Sequence, residues 1–479
     1  MSAASVESVV LPVEVKYGTV KSVSPKYKYL KVPLNNVPSG NLAALTGANT
    51  AQLEWMLTPE VYNLAESYIT YQVATGAPAA NNYSILHTDT QTLAENITFS
   101  DAAGNNLLNL QSANKYVKVM RKAETKLDDY LTNTLLDLAP SQLTCQANLQ
   151  TVAIPTNGFS TLQYYPGTLS AATYYGGFSM YNEERHVIIS AINGAASTNV
   201  KVPLKAFVNT ILAENKDLYF GQNMYLRIQT SSADRMCYQT TSNTALDTAA
   251  TTHPNGITLS NIYLHLAIEK NDVIRASIMD KYARGDLKIP LQVVYPYRMS
   301  PGASTQQNIV WALTKDMGRR LKWITHTVWL AADTLADAYN CFNVNGMKVI
   351  KYQTFINGQP LQNEQLQCYQ PGSGSLTAPS VGVDDYFENK DFIDGSVLQN
   401  AAHYQSNWFH RDNFTRLDIP EDVSEENIID GLDMGEFQQQ LQWSIQANTA
   451  NTAFTHLSFA CFQRKILIHP MNGIQWVDE

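Results

Sequence analysis

Short segments in which apolar and polar residues alternate recur along the whole chain, at the two-residue period of a half-buried β-strand. Leu53, Trp55 and Leu57 alternate before Pro59, and Ile69, Tyr71 and Val73 after it, with a further strand expected near Ile97. Val200, Val202, Leu204 and Ala206 oppose Lys201 and Lys205; Met224, Leu226 and Ile228 oppose Tyr225, Arg227 and Gln229. Ile262, Leu264, Leu266 and Ile268 form one face against Tyr263, His265, Ala267 and Glu269. Leu287–Arg298, Ile309–Leu313 and Lys322–Leu330 are strand-like, and Leu441, Trp443, Ile445 and Ala447 alternate with Gln440, Gln442, Ser444 and Gln446. The run Phe454–Ile468 is apolar on both faces, the pattern of a strand buried between layers.

Turns and caps punctuate these strands. In Lys348–Cys368, residues Ile350, Tyr352, Thr354 and Ile356 share a face and Lys351, Gln353 and Phe355 the other. Asn357-Gly358 then supplies the positive φ angles of a two-residue hairpin turn, and Pro360 places the returning strand at an edge or bulge. Asn-Gly occurs six times in the chain, each a turn signal. One helix is expected after Ser112, with Tyr116, Met120, Ala123, Leu127 and Tyr130 on one stripe. A second follows Asn271, with Ile274, Ile278 and Tyr282 on a stripe and Gly285 past its end. A third is expected around Val397–Phe409.

Residues 75–95 and 140–190 read mainly as loops, Ser231–Gly256 as a surface loop without periodicity, and Pro371–Gly395 as an acidic loop. The expectation is a mainly β, antiparallel chain with a few helices. Its parts are an N-terminal arm with edge strands over 1–50, a first unit over 51–250 and a second over 251–479. Both units run through strands, a helix, a long loop and two closing strands, an order that suggests duplication.

Composition narrows the function. With 479 residues the chain has room for about three average domains or two large sandwiches. Hydrophobic residues are 44%, enough for a full core, while charged residues are 16%, below the usual ~25%. So few charges, with 26 Tyr and 7 Trp, fit a protein whose surface is covered by partners. Net charge is −9 with no basic tail, which argues against phosphate neutralisation as the main activity. Lys16–Lys31 holds five Lys and no acid. It reads as an edge strand guarded by Lys, or as an arm lying on something anionic.

Cys145, Cys237, Cys341, Cys368 and Cys461 are scattered without a CxxC, which implies free thiols and neither a disulfide framework nor a zinc site. No signal-like segment or 18-residue apolar span occurs, so synthesis in the cytosol is expected and the sequons at Asn82, Asn96 and Asn413 read as chance.

No group of residues assembles a recognisable active site. His410-Arg411-Asp412 copies three letters of a kinase catalytic loop without its glycine loop, strand Lys or DFG. His403 and His410 are seven apart on the expected third helix but lack a third ligand. His265 is a lone histidine on a strand face. Asp384, Asp385, Glu388 and Asp391, and Glu421, Asp422, Glu425 and Glu426, could supply a carboxylate pair, but they sit in solvated charge runs. Pro371–Ser375 lacks both a nucleophile elbow and a Walker Lys. No catalytic, cofactor-binding or metal residue is assigned, and no cofactor.

Four segments in this order resemble the double jelly-roll major capsid proteins of tailless icosahedral double-stranded DNA viruses, including polinton-like viruses, virophages and their larger relatives. Gln52–Val73 resembles the entry strands, Val200–Tyr238 the close of the first roll, Asn261–Leu291 the crossing into the second, and Thr354–Cys368 the hairpin. The resemblance implies two consecutive eight-stranded jelly rolls and a non-enzymatic homotrimer whose pseudo-hexameric capsomers tile an icosahedral shell in the virion. It also implies minor capsid and penton proteins as partners and no small-molecule substrate; the Lys16–Lys31 arm could then meet an internal membrane, a minor protein or the genome. The alternative expectation is a carbohydrate-binding or glycoside-hydrolysing β-sandwich, using Tyr and Trp for stacking and the acidic loops for catalysis.

Overall fold

A computed structural model describes residues 26–46, 49–75, 83–87, 93–124, 186–190, 197–240, 257–285, 287–299, 306–330, 349–367, 409–415, 431–434, 439–447 and 454–477. The first roll is built from β1 (Tyr27–Pro33), β2 (Gln52–Leu57), β3 (Tyr62–Thr75), β4 (Ala94–Asp101), β5 (Asn106–Gln111), β6 (Ser197–Pro203), β7 (Met224–Thr230) and β8 (Ile257–Glu269). Its two sheets run β1-β8-β3-β6 and β2-β7-β4-β5, with every ladder antiparallel.

The second roll is built from β9 (Leu287–Met299), β10 (Gln306–Leu313), β11 (Arg320–Leu330), β12 (Val349–Ile356), β13 (Gln359–Pro360), β14 (Phe409–Asn413), β15 (Gln439–Ala447) and β16 (Phe454–His469). Its sheets run β9-β16-β11-β14 and β10-β15-β12-β13. Adding eight to each strand number of the first roll reproduces the second, so the shared order in the sequence is a repeat of topology. Two sheets whose first and last strands pair side by side form the double Greek key of a jelly roll. Short accessory strands flank this frame. Asp217–Leu218 pairs β3, Leu366–Gln367 pairs β12, Leu432–Asp433 pairs β11, and Gly473–Val477 pairs β16.

Local chemistry explains the elements. Leu53, Trp55 and Leu57 are buried, as are Met224, Leu226 and Ile228 directly opposite them in the β2–β7 ladder. The Asn357-Gly358 turn has φ of 49° and 80°, the pair of positive values that makes a two-residue hairpin follow strand twist. Pro360 lies in the outermost strand of its sheet, where a missing N–H costs no ladder bond.

Three helices are described: α1 (Ala113–Glu124), α2 (Ala233–Met236) and α3 (Asp272–Ala283). Asn271 caps α3, its side chain accepting from the Val273 and Ile274 N–H groups, and Gly285 follows with φ 74°. Leu127 and Tyr130 of the expected first helix lie outside the described residues.

Several expectations change. The alternation Val200–Ala206 is not one strand: Pro203 ends β6 and residues 204–206 turn into a 3-10 helix. The expected loop from Ser231 holds α2 and then a strand, Cys237–Thr240, paired to Tyr83–His87. In β8 the ladder to β3 shifts register twice, near Asn261 and between His265 and Ala267, so Ala267 and Glu269 are buried rather than sharing the face of His265. Phe409 opens strand β14 instead of closing a helix; residues 397–408 lie outside the described residues. By pairing, β1 is the edge strand of the first roll's first sheet and β8 is its neighbour. Tyr27–Pro33, within the expected arm, pairs with β8, and α3 lies between β8 and the first strand of the second roll.

The cores are unequal. One lies wholly inside the second roll and includes Ile309, Leu313, Ile324, Tyr352, Trp443, Ala460 and Phe462. The other fills the first roll and continues across the outer face of the β9-β16 sheet through Leu291, Trp323, Leu457, Phe459 and Cys461. Tyr116 of α1 meets Phe459 edge-on at 4.9 Å, while its hydroxyl donates to the Val208 carbonyl at 2.8 Å. Successive residues of β16 thus enter different cores, which is why its sequence is apolar on both faces.

Candidate functional sites: an uncovered sheet face and a buried histidine–aspartate network

The first sheet of the first roll turns one face to solvent. Antiparallel pairing aligns Lys31, His265 and Tyr68 in one row, and Tyr263, Thr70 and Lys201 in the next. Tyr68 stacks on the His265 ring at 4.7 Å and meets Tyr29 at 5.5 Å. The Lys31 ammonium sits 3.6 Å from the centroid of Tyr263, and that of Lys201 4.4 Å from Tyr68. His265 Nε2 shares a 2.9 Å hydrogen bond with Thr70 Oγ1. Partial burial, then Lys31 and Lys201, lower the His265 pKa. The result is a pre-stacked aromatic and cationic surface on which Tyr29 is 45% exposed. The equivalent face of the second roll carries Trp323, Leu457, Phe459 and Cys461 and is covered by the first roll.

The second site is inside. Asp412 is buried and accepts five hydrogen bonds: from His326 Nε2 at 3.1 Å, the Tyr352 hydroxyl at 3.1 Å, Thr354 Oγ1 at 2.6 Å, Gln362 Nε2 at 3.0 Å and His410 Nε2 at 3.1 Å. A carboxylate only accepts, so both imidazoles present Nε2–H to it. His326 Nδ1 is then free to accept from Ser458 Oγ, 2.9 Å away. Ser458 also lies 3.3 Å from His456 Nδ1, and the His456 and His326 rings stack at 5.5 Å.

Burial pushes the Asp412 carboxyl upward, but His410 and His326 outweigh it and hold it well below the usual carboxylate range. Burial lowers His326, opposed by Asp412 and aided by His410, and lowers His456 further. Ser458, His326 and Asp412 have the connectivity of nucleophile, base and orienting carboxylate. Ser458 and His326 are 0% exposed, however, so no substrate reaches the hydroxyl. The arrangement locks a core.

The motif His410-Arg411-Asp412 therefore lies on a strand, with His410 and Asp412 pointing inward and Arg411 outward, 3.9 Å above the Trp323 ring. Its partners come from β11, β12 and β16 and are remote in sequence. The readable signal was the period-two pairing of polar residues, His456 with Ser458 in the largely apolar β16 and His410 with Asp412 in the short polar β14. His403, the two acidic runs and Pro371–Ser375 lie outside the described residues. No group of metal-ligating residues able to hold an ion occurs among the described residues, and none of their helices is long and apolar enough to cross a membrane.

A groove of about 530 Å³ crosses the outer face of the β2-β7-β4-β5 sheet, lined by amides such as Gln52, Asn96 and Gln111 around Arg227. Its polar groups largely engage one another. Arg227 binds Glu54 at 2.6 Å and Ser100 at 2.9 Å, and Gln229 accepts from Asn96 at 2.6 Å.

Two consecutive jelly rolls of identical topology in one chain define the double jelly-roll fold. Comparison with solved structures finds a similar fold in viral major capsid proteins. The Faustovirus major capsid protein superposes with a TM-score of 0.52 at 9% identity, covering 96% of this chain and 94% of that one. A chain of the Sputnik virophage structure gives 0.52 at 9% identity, covering 96% and 89%. VP54 of PBCV-1, as fitted into a Sputnik reconstruction, gives 0.51 at 9%, covering 96% and 99%. No family model and no curated protein matches the sequence.

Proposed function

We propose that the chain is a major capsid protein that forms homotrimers, each a ring of six jelly rolls, and that these capsomers tile an icosahedral shell. The observation that carries this reading is the asymmetry between two equivalent sheet faces. In the second roll the outer face of the first sheet is covered by the first roll, while the corresponding face of the first roll is bare. A head-to-tail contact of this kind leaves one unmatched face at each end of the chain. Heterologous contacts that repeat by rotation close into rings, and three chains of two rolls give six positions. The bare face, with its stacked tyrosines and two lysines, suits contact with the second roll of a neighbouring copy, since aromatic residues are enriched at interfaces. The similarity to viral capsid proteins supports the same reading, as does the low overall charge.

In this reading the protein resides in the virion after synthesis in the host cytosol, works without catalysis, and meets minor capsid and penton proteins at the edges of the capsomer. Light scattering on the purified chain tests it. The expected mass is about 160 kDa, three 53.3-kDa chains, with hexagonal outlines or shells in negative stain. Exchanging Tyr68 and Lys201 together for Glu should shift the species to the single-chain mass while leaving the circular dichroism spectrum intact. A wild-type monomer would overturn the proposal.

A further inference from the structure

We propose that the network of His326, His410, His456 and Asp412 is a proton-sensitive latch that holds the two sheets of the second roll together and releases them in mild acid. The inference goes beyond a capsid role and concerns the folded chain in whatever assembly it forms.

The geometry is that of a bridge. His326, His410, Asp412, His456 and Ser458 belong to the β9-β16-β11-β14 sheet, while Tyr352 and Thr354 belong to the facing sheet and Gln362 follows its β13 edge. Tyr352, Thr354 and Gln362 each donate to Asp412 across the interior, so one carboxylate joins both layers. From β15, Trp443 packs on the network, its ring meeting His326 edge-on at 4.5 Å and His456 at 5.4 Å. Arg411 points to the opposite face. The titratable groups facing the network are therefore Tyr352 from β12, His326 from β11, His410 and Asp412 from β14, and His456 from β16.

Two imidazoles, His326 and His410, share one carboxylate, and a third, His456, stacks on His326 without bonding to it. Asp412 can balance a single imidazolium; a second buried cation finds no further carboxylate among the described residues of the network, and an unpaired buried charge is strongly unfavourable. A proton on His326 Nδ1 also displaces the hydrogen bond it receives from Ser458. A proton on His456 creates a cation beside His326, with the neutral Ser458 hydroxyl as its hydrogen-bond partner.

The direction of the pH effect follows by linkage. His326 and His456 are lowered in the folded chain, whereas in the opened roll they return to the ordinary value near 6.5. The closed state is thus favoured fully above about pH 6.5 and is lost progressively below it, each histidine adding up to about tenfold per pH unit to the opening equilibrium. His265 is also lowered, but it lies half-buried on the solvent face of the first roll, where water screens it.

Hydrogen–deuterium exchange on the full-length protein at pH 7.5, 6.5 and 5.5, corrected for intrinsic rates, tests the latch. Opening of β11 and β16 amides should rise by about tenfold or more from pH 7.5 to 5.5 relative to amides of β4 and β7, which lie in the first roll away from His265. His456→Gln keeps a polar group and removes one titration, and should reduce that rise at least about threefold. Equal changes in the two sets of amides would overturn the proposal, as would an unchanged rise in the variant. Should His456→Gln fail to fold, the wild-type ratio decides alone.

Discussion

Gly221 shows how a single hydrogen atom can be required. Its φ is 67°, and a Cβ built there would lie 2.1 Å from the hydroxyl of Tyr282. Tyr282 also packs edge-on against Tyr219 at 5.0 Å, so the last turn of α3 rests on the loop before β7. Gly221→Ala combines backbone strain with a displaced aromatic ring. It should cost about 1–3 kcal/mol, read as a lower urea midpoint at unchanged slope. Gly358→Ala is the control. It also has positive φ, but a Cβ there meets nothing within 4 Å, so it should lose only about 1 kcal/mol.

At the scale of elements, α3 rests on its ends. None of its residues is fully buried, and its core packing comes from the half-buried Ile278 and Tyr282 toward its end, so the N-terminal cap matters more than usual. Asn271→Ala removes the acceptor for two orphan N–H groups and should cost about 1 kcal/mol. Faster exchange of the first-turn amides, with β8 and β9 unchanged, is the expected readout; unaltered protection would mean that Glu60, which binds Arg275 at 2.9 Å, holds the helix instead.

The sequence announced elements whose determinants are local. Alternation found β2, β3, β7 and β15 because one face of each meets a core, and Asn357-Gly358 found its hairpin because few residues adopt that backbone. It missed the end of β6, since Leu204 and Ala206 remain buried after the chain has left the sheet. It placed Phe409 on a helix because spacing alone cannot separate a short buried strand from a helical stripe. The Asp412 network was illegible for a different reason: its members are brought together by pairing of strands up to 132 residues apart, as between His326 and Ser458, and no window along the chain contains them.

On the scale of the whole molecule, the position of β1 redefines the arm. Tyr27–Pro33 is hydrogen-bonded to β8 along its full length, and the Tyr27 hydroxyl donates to Asp217 at 3.2 Å. Lys26, Lys28 and Lys31 therefore belong to or border the first roll, leaving Lys16 and Lys21 to any anionic contact of the arm. On the proposed capsid reading, removing residues 1–25 should leave the folded chain and its oligomeric mass unchanged while altering what the proposed shell encloses. Particles with unchanged lipid and nucleic acid content would remove the arm from that role, whereas a cut extending through residue 33 should destabilise the first sheet.

The interleaving of β16 between two cores has a consequence for how such a chain can evolve. Repeats of one topology invite exchange of one copy for another by recombination, yet here each copy has been moulded to its position. Phe459 and Cys461 need the helix and strands of the first roll above them, while Ala460 and Phe462 need the interior of the second. A chimaera that imports either roll from a distant relative inherits one half of a fitted joint. Divergence between the halves is therefore constrained less by the shape each roll must keep than by the partner each has come to fit.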